Sequence, residues 1–311
     1  MGTFHNLKNG RSTPMNVLAR PLATIIVALM PLLLASAQSD REPEVAYAGC
    51  VERYFDYYEA GKPDSAELML RQALELSPEA EGNFLLLGNL AELVVARGDS
   101  LEAVELLSEA LSRQPAVPEL RERRADLLCD LGQLQSALTD YDELVSLTPS
   151  SEIYRYKRVL TYEKLRLWSA AEEDLKRILA HNPDAYLPRV KLAEVYEREG
   201  RPLEAEKLLS YLIEQQPAMA PAYRARARLL MRQGRKSDAL ADVREIIRRS
   251  GEHIGAEEYL LRGEIWLLYG EEEETERDFA RAVAAGATPS MLAQAREEAY
   301  QIKKKIINKI P

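Results

Sequence analysis

One pattern returns seven times along this chain, and it limits the fold more than any other feature. A glycine is followed after five residues by alanine, after four more by a large apolar residue, after three more by a small or apolar one, and after five more by proline. Gly98, Ala103, Leu107, Ala110 and Pro115 make one copy, and Gly132, Ala137, Tyr141, Leu144 and Pro149 the next. Copies headed by Gly61, Gly200, Gly234 and Gly270 keep the frame, with Gly251 in the proline position of the sixth and Pro289 displaced in the seventh. In the remaining copy, the fourth, Arg166 stands where the glycine is expected. From Pro115 through Pro149 and Pro183 to Pro217 the spacing is 34 residues each time. A period of that size marks a repeat architecture in which each copy is one supersecondary unit.

Each copy carries two apolar stripes at helical spacing. In the fifth these are Leu192, Ala193 and Tyr196, then Ala205, Leu208, Leu209 and Leu212. The glycine supplies the backbone freedom of a tight turn between two helices, and the proline limits the second helix. A single hairpin cannot bury both stripes, whereas stacked neighbours can. Two slips interrupt the period. Pro78 and Pro115 are 37 residues apart, which predicts an extra helical turn or a longer loop near residues 81–84, and two more residues enter around Gly251–Gly255. Beyond Pro289 a last stripe runs through Leu292, Ala295, Ala299, Ile302, Ile306 and Ile310. Thr288 is placed to cap this helix, and Lys303, Lys304, Lys305 and Lys309 lie toward its C-terminal end, where the helix dipole favours cations. Residues 290–311 are therefore expected to form a capping helix, with a membrane-surface or partner-binding tail as the other reading.

The period, the glycine, the small residues Ala91, Ala125, Ala193, Ala227 and Gly263, and the large ones three further on (Val94, Leu128, Tyr196, Leu230 and Trp266) resemble the tetratricopeptide repeat (TPR) family. Val159 and Tyr54 depart from the small-residue position. The resemblance spans residues 47–289 as seven repeats. It implies an all-α, right-handed α/α superhelical solenoid of TPR helix hairpins whose first helices line a concave face. In the family certain first-helix positions look into that groove. Here they map to Arg224, Arg228, Met231 and Arg232 in the sixth repeat, Tyr156 and Leu160 in the fourth, and Glu194 in the fifth. They also put Cys129 at the groove wall. The Lys and Asn clamp with which some members hold a C-terminal carboxylate is missing, because the first two repeats offer Val51, Phe55, Tyr58, Glu59, Gly88 and Glu92 instead. Arg224, Arg228 and Arg232 fall four apart and form one basic ridge. The competing reading is a solvated face whose arginines pair with Glu194 and Glu197.

The first 37 residues differ in kind. They carry Lys8, Arg11 and Arg20 and no acidic residue, followed by an apolar run from Leu22 to Ala35 that Pro31 interrupts. That run is short for a membrane span. It ends in Ala35-Ser36-Ala37, a pattern that fits signal-peptide cleavage before Gln38. The expectation is an exported protein, in the periplasm, associated with the outer membrane or released, with residues 38–46 as a short lead-in. An uncleaved anchor is the alternative, and Met15 is a second possible start. Tyr47-Ala48-Gly49-Cys50 resembles a lipobox, but Asp40, Arg41, Glu42 and Glu44 separate it from the apolar run, so lipidation is not expected. Cys50 and Cys129 are separated by whole repeats and are expected to be free thiols.

The chemistry-bearing residues are sparse. Asp plus Glu number 50 against 41 Lys plus Arg, a formal charge of -9, which does not suit a phosphate backbone. His181 and His253 have no second ligand at metal spacing, and neither a phosphate loop nor a GxSxG elbow is present. Glu271–Glu274 reads as a solvated turn without the alternating oxygens of a calcium loop. No catalysis, cofactor or metal is expected. The chain reads as an adaptor or assembly scaffold of the cell envelope, offering a mixed-charge groove to a protein or extended peptide. A structural accessory that self-associates through its terminal repeats is the alternative.

Overall fold

The computed structural model describes residues 41–251 and 254–307. The leader with its cleavage pattern, His253, Lys309 and Ile310 lie outside the described residues. Among those described, all regular structure is helical, in fifteen helices and two compact units that divide at Ser151 and Glu152. In the first unit α1 (Arg41–Glu59) pairs with α2 (Pro63–Leu76), α3 (Asn83–Arg97) with α4 (Ser100–Arg113), and α5 (Pro118–Asp130) with α6 (Leu134–Leu147). In the second unit α7 (Glu152–Lys164) pairs with α8 (Trp168–His181) and α9 (Tyr186–Arg198) with α10 (Pro202–Gln215). There α11 (Ala220–Arg232) pairs with α12 (Lys236–Ser250) and α13 (Ala256–Tyr269) with α14 (Glu272–Ala284), before the terminal helix α15 (Pro289–Ile307).

The seven turns inside the hairpins are built alike. Gly61, Gly98, Gly132, Gly200, Gly234 and Gly270 all adopt positive φ, between 67° and 98°. The next residue donates its N–H back across the turn to the large residue that ends the first apolar stripe, as in Gln133 to Leu128 at 2.8 Å and Arg201 to Tyr196 at 2.8 Å. This is the glycine-closed helix ending, in which the left-handed residue lets freed carbonyls find donors. Arg166 meets the same requirement at φ 58°, and its neighbour Leu167 donates to Tyr162 at 2.9 Å. A side chain in that region costs about 1–2 kcal/mol, so the turn geometry is imposed by the hairpin rather than chosen by the residue.

The slip between Pro78 and Pro115 is taken up mainly in a longer loop, residues 77–82. Asn83 fastens it. Its side chain is fully buried, its Nδ2 donates to the carbonyls of Ser77 (2.8 Å) and Pro78 (2.9 Å), and its Oδ1 accepts from the Tyr47 hydroxyl at 3.1 Å. Satisfying all of these groups lets a polar residue stand in the core. The run Glu271–Glu274 is not a plain turn: Glu272, Glu273 and Glu274 open α14, where carboxylates meet the positive end of the helix dipole.

Close helix packing rests on the small position. Ala91, Ala125, Ala193 and Ala227 are fully buried, and Val159 is accommodated equally well. Gly263 lies beneath the Phe279 ring, whose nearest atom is 2.5 Å from where a Cβ would be. Tyr54 fills the corresponding place in α1 at 2% exposure. Both cysteines are free thiols, Cys50 buried and Cys129 half-buried.

Four hairpins share one internal ion pair. Arg124, Arg158, Arg226 and Arg262 each reach a buried aspartate on the second helix of the same hairpin: Asp140, Asp174, Asp242 and Asp278. Each contact has two parallel N–H···O bonds of 2.6–2.8 Å, the bidentate geometry that makes arginine–carboxylate pairs directional. In two other hairpins the same two positions hold leucines, Leu90 with Leu106 and Leu192 with Leu208.

The terminal helix begins where Thr288 accepts from the Met291 N–H at 3.3 Å. It buries Ala295 and Ala299 and packs on α13, with its far end reaching α11. Ile306 lies against Gly234, and Arg296 pairs with Glu276 of α14 at 2.6 Å.

Candidate functional site

In the second unit the first helices of successive hairpins are α7, α9, α11 and α13. Their residues are joined by a chain of charges from one helix to the next. Lys191 of α9 bonds Glu194 at 2.6 Å and Glu163 of α7 at 3.2 Å. Burial pulls the Lys191 ammonium toward the neutral form, but Glu194 and Glu163 outweigh it and its pKa ends above the ordinary value. Burial raises Glu163 while Lys191 opposes the rise. Glu197 of α9 takes Arg232 of α11 through two bonds of 2.5 and 2.6 Å. Arg224 of α11 bonds Glu258 of α13 and lies 3.3 Å from Glu257.

This arrangement revises the basic ridge expected from sequence. Arg224 and Arg232 are committed to carboxylates on neighbouring helices. Glu194 is engaged by Lys191 rather than by an arginine. Met231 does not line a groove: it is fully buried in a cluster with Leu261, Ile265 and Ala299, with Ile302 packed against it. It is buried because α15 leans across α13 to α11. Arg228 has no carboxylate within 4 Å among the described residues. On α7, Tyr156 is half-buried, while Ile153 and Leu160 are 40% and 38% exposed. These three lie at helical spacing on one face. In the first unit, considered separately, Arg123 bridges α5 to Glu92 of α3 with bonds of 2.7 and 2.9 Å. The Tyr141 hydroxyl donates to Asp126 at 2.5 Å.

Glu264 was not visible as a site residue in the sequence. It is 5% exposed and makes no hydrogen bond among the described residues. Burial pushes its pKa up to about 7, against the pull of Arg228 and Arg232 and with a further push from Glu298 of α15. A carboxyl whose folded pKa is raised binds its proton more tightly when folded, so its unfavourable contribution grows as pH rises from about 4.5 to 7. Glu264→Gln is expected to stabilise the protein at pH 8 by up to about 3 kcal/mol and to change nothing at pH 4. Urea unfolding at the two pH values checks this, and an equal effect at both would remove ionisation of Glu264 as the cause.

The links between first helices carried one signal that reading each helix alone missed. Glu197 and Arg232, and Arg224 and Glu258, are opposite charges about one repeat apart. Lys191 escaped notice because it does not occupy one of the positions that face the groove in the resembled family.

Residues 89–152, 156–220 and 190–254 match the tetratricopeptide repeat family, together more than half of the chain. The chain belongs to the tetratricopeptide repeat family. A crystal structure of a TPR protein from Parabacteroides merdae is 29% identical, with a TM-score of 0.67, and the match covers 82% of this chain and 99% of that one. PilW, described as a widely conserved type IV pilus biogenesis factor, shares the TPR fold at 20% identity and a TM-score of 0.51, over 68% of this chain and 97% of its own. Human tetratricopeptide repeat protein 13 is 26% identical over 119 residues, 38% of this chain, and the chain spans 14% of that relative's length.

Proposed function

We propose that this TPR protein is a non-catalytic, protein-binding scaffold of the cell envelope, and that the first-helix face of its second unit takes an extended segment of another protein. The observation that carries the reading is the α7 stripe of Ile153, Tyr156 and Leu160, apolar and partly open, beside the charged links of Glu163, Lys191 and Glu194. Tyr156 and Leu160 seat an apolar side chain of the ligand, Glu194 borders that seat, and Arg228 receives an acidic group. Arg224 and Arg232 act indirectly, by holding α11 to α13 and α9. A small apolar anchor with flanking charge gives a polypeptide register as well as affinity. Export is supported by the acid-free leader and Ala35-Ser36-Ala37.

Selection from a random peptide library against the protein starting at Gln38 tests the binding claim. Enriched peptides should combine an apolar residue with an acidic one. Leu160→Ser with Arg228→Glu should weaken them at least about tenfold, or 1.4 kcal/mol, while helicity stays unchanged. Failure to enrich any sequence, or equal affinity for the variant, overturns the assignment of this face. N-terminal sequencing from the native cells tests export independently, with Gln38 as the expected first residue.

A further inference from the structure

The terminal helix turns one face to its own protein and another to solvent, and the solvent face has a composition of its own. Ala295 and Ala299 are buried, and Met291, Leu292, Ile302 and Ile306 are half-buried on the same side. On the opposite side Tyr300 is 59% exposed and Ile307 56% exposed. Between them lie Lys303 and Lys304, both exposed, with Lys305 at the flank. From Ala299 to Ile307 there are three lysines and no acidic residue, in a chain whose formal charge is -9. Among the described residues none of the three lysines has a carboxylate within 4 Å, although α15 offers Glu297 and Glu298 nearby. Elsewhere on this unit cations are commonly neutralised, as Arg201, Arg232, Arg235 and Arg277 are.

We propose that this face of α15 docks on an anionic lipid surface. Exposed cations between an exposed tyrosine and an exposed isoleucine suit the headgroup boundary: the ammonium groups meet phosphate, the phenol sits at the polar level, and the isoleucine enters the acyl edge. Lysine stems extend across apolar surface while their ends stay hydrated. The net negative charge of the chain disfavours contact through its other faces and favours contact through α15. A single weak signal gives marginal attachment, whereas basic charge combined with apolar insertion gives a stable one.

The test is sedimentation of the protein starting at Gln38, which retains every described residue, with vesicles of phosphatidylcholine alone or mixed with phosphatidylglycerol. Binding should require the anionic lipid and weaken as salt rises. Lys303→Glu with Lys304→Glu should reduce partitioning at least about tenfold. Tyr300→Ser with Ile307→Ser, which leaves the charges intact, should reduce it as well. Circular dichroism and melting should match the wild type for both variants. The proposal is overturned by absence of binding to the anionic vesicles, by equal binding of the charge-reversed variant, or by binding to polyglutamate as tight as to the vesicles, which would assign the face to an acidic polypeptide.

Discussion

Asp242→Ala is expected to lower the unfolding free energy of the second unit by about 3–5 kcal/mol. Asp242 is 5% exposed and accepts two bonds from Arg226, at 2.6 and 2.8 Å. Removing the carboxylate leaves a half-buried guanidinium with one remaining partner, the Ser210 hydroxyl at 2.9 Å. Removing both charges should have a different result. The hairpin of α9 and α10 holds Leu192 and Leu208 at the matching positions, and that of α3 and α4 holds Leu90 and Leu106. The scaffold therefore accepts two leucines where it accepts an ion pair. Arg226→Leu with Asp242→Leu should return stability to within about 1 kcal/mol of the wild type or above it, since replacing a buried pair by well-packed apolar groups is often neutral or stabilising. Urea unfolding followed by tryptophan fluorescence reads this unit selectively, because Trp168 and Trp266 both lie in it. If the leucine pair is as damaging as Asp242→Ala, the pair is required for its charge and the argument fails.

These pairs mark the boundary of what the chain discloses before its structure is seen. Turn glycines are legible because a left-handed backbone is a local demand that few residues meet, and six of the seven turns meet it with glycine. Arg166 shows that the demand survives when the residue changes. The Arg–Asp pairs were written in the sequence as arginine and aspartate sixteen residues apart in four copies, but a search for apolar periodicity passes over charged residues. Asn83 was hidden for another reason. Its value lies in closing an irregular loop, so no repeat predicts it. Met231 was misplaced because the repeat pattern describes how hairpins stack and is silent on the path of a helix that follows them. Once α15 leans on α13 and reaches α11, a groove position becomes a core position. Arg224 and Arg232 shared a helix face, as their spacing required, yet their charge was already taken by carboxylates on adjacent helices.

Phe279→Ala is expected to cost about 3–5 kcal/mol, and Gly263→Ala about 1–3 kcal/mol, with the double replacement costing less than the two together. Phe279 is 2% exposed, and its ring lies over Gly263 so closely that a Cβ there would stand 2.5 and 2.7 Å from two ring carbons. The Arg296 guanidinium of α15 also lies over this ring, 4.7 Å from its centroid. At those distances an added methyl must displace the ring, and because the ring is buried between α13 and α14 the two helices are expected to move apart. With the ring removed, the same methyl enters the space it left and recovers part of the lost contact. Residues that share one volume couple in this way, and a departure from additivity of at least about 0.5 kcal/mol is expected. Strict additivity in urea unfolding would mean that α13 is held at its distance by something other than this ring. The consequence extends to the candidate site, since Glu264 follows Gly263 directly and faces Arg228 and Glu298. A shift of α13 in Gly263→Ala changes the burial of that carboxyl, so this variant should also move the pH at which the loss of stability levels off, which the folded pKa sets, whereas a variant that leaves α13 in place should not.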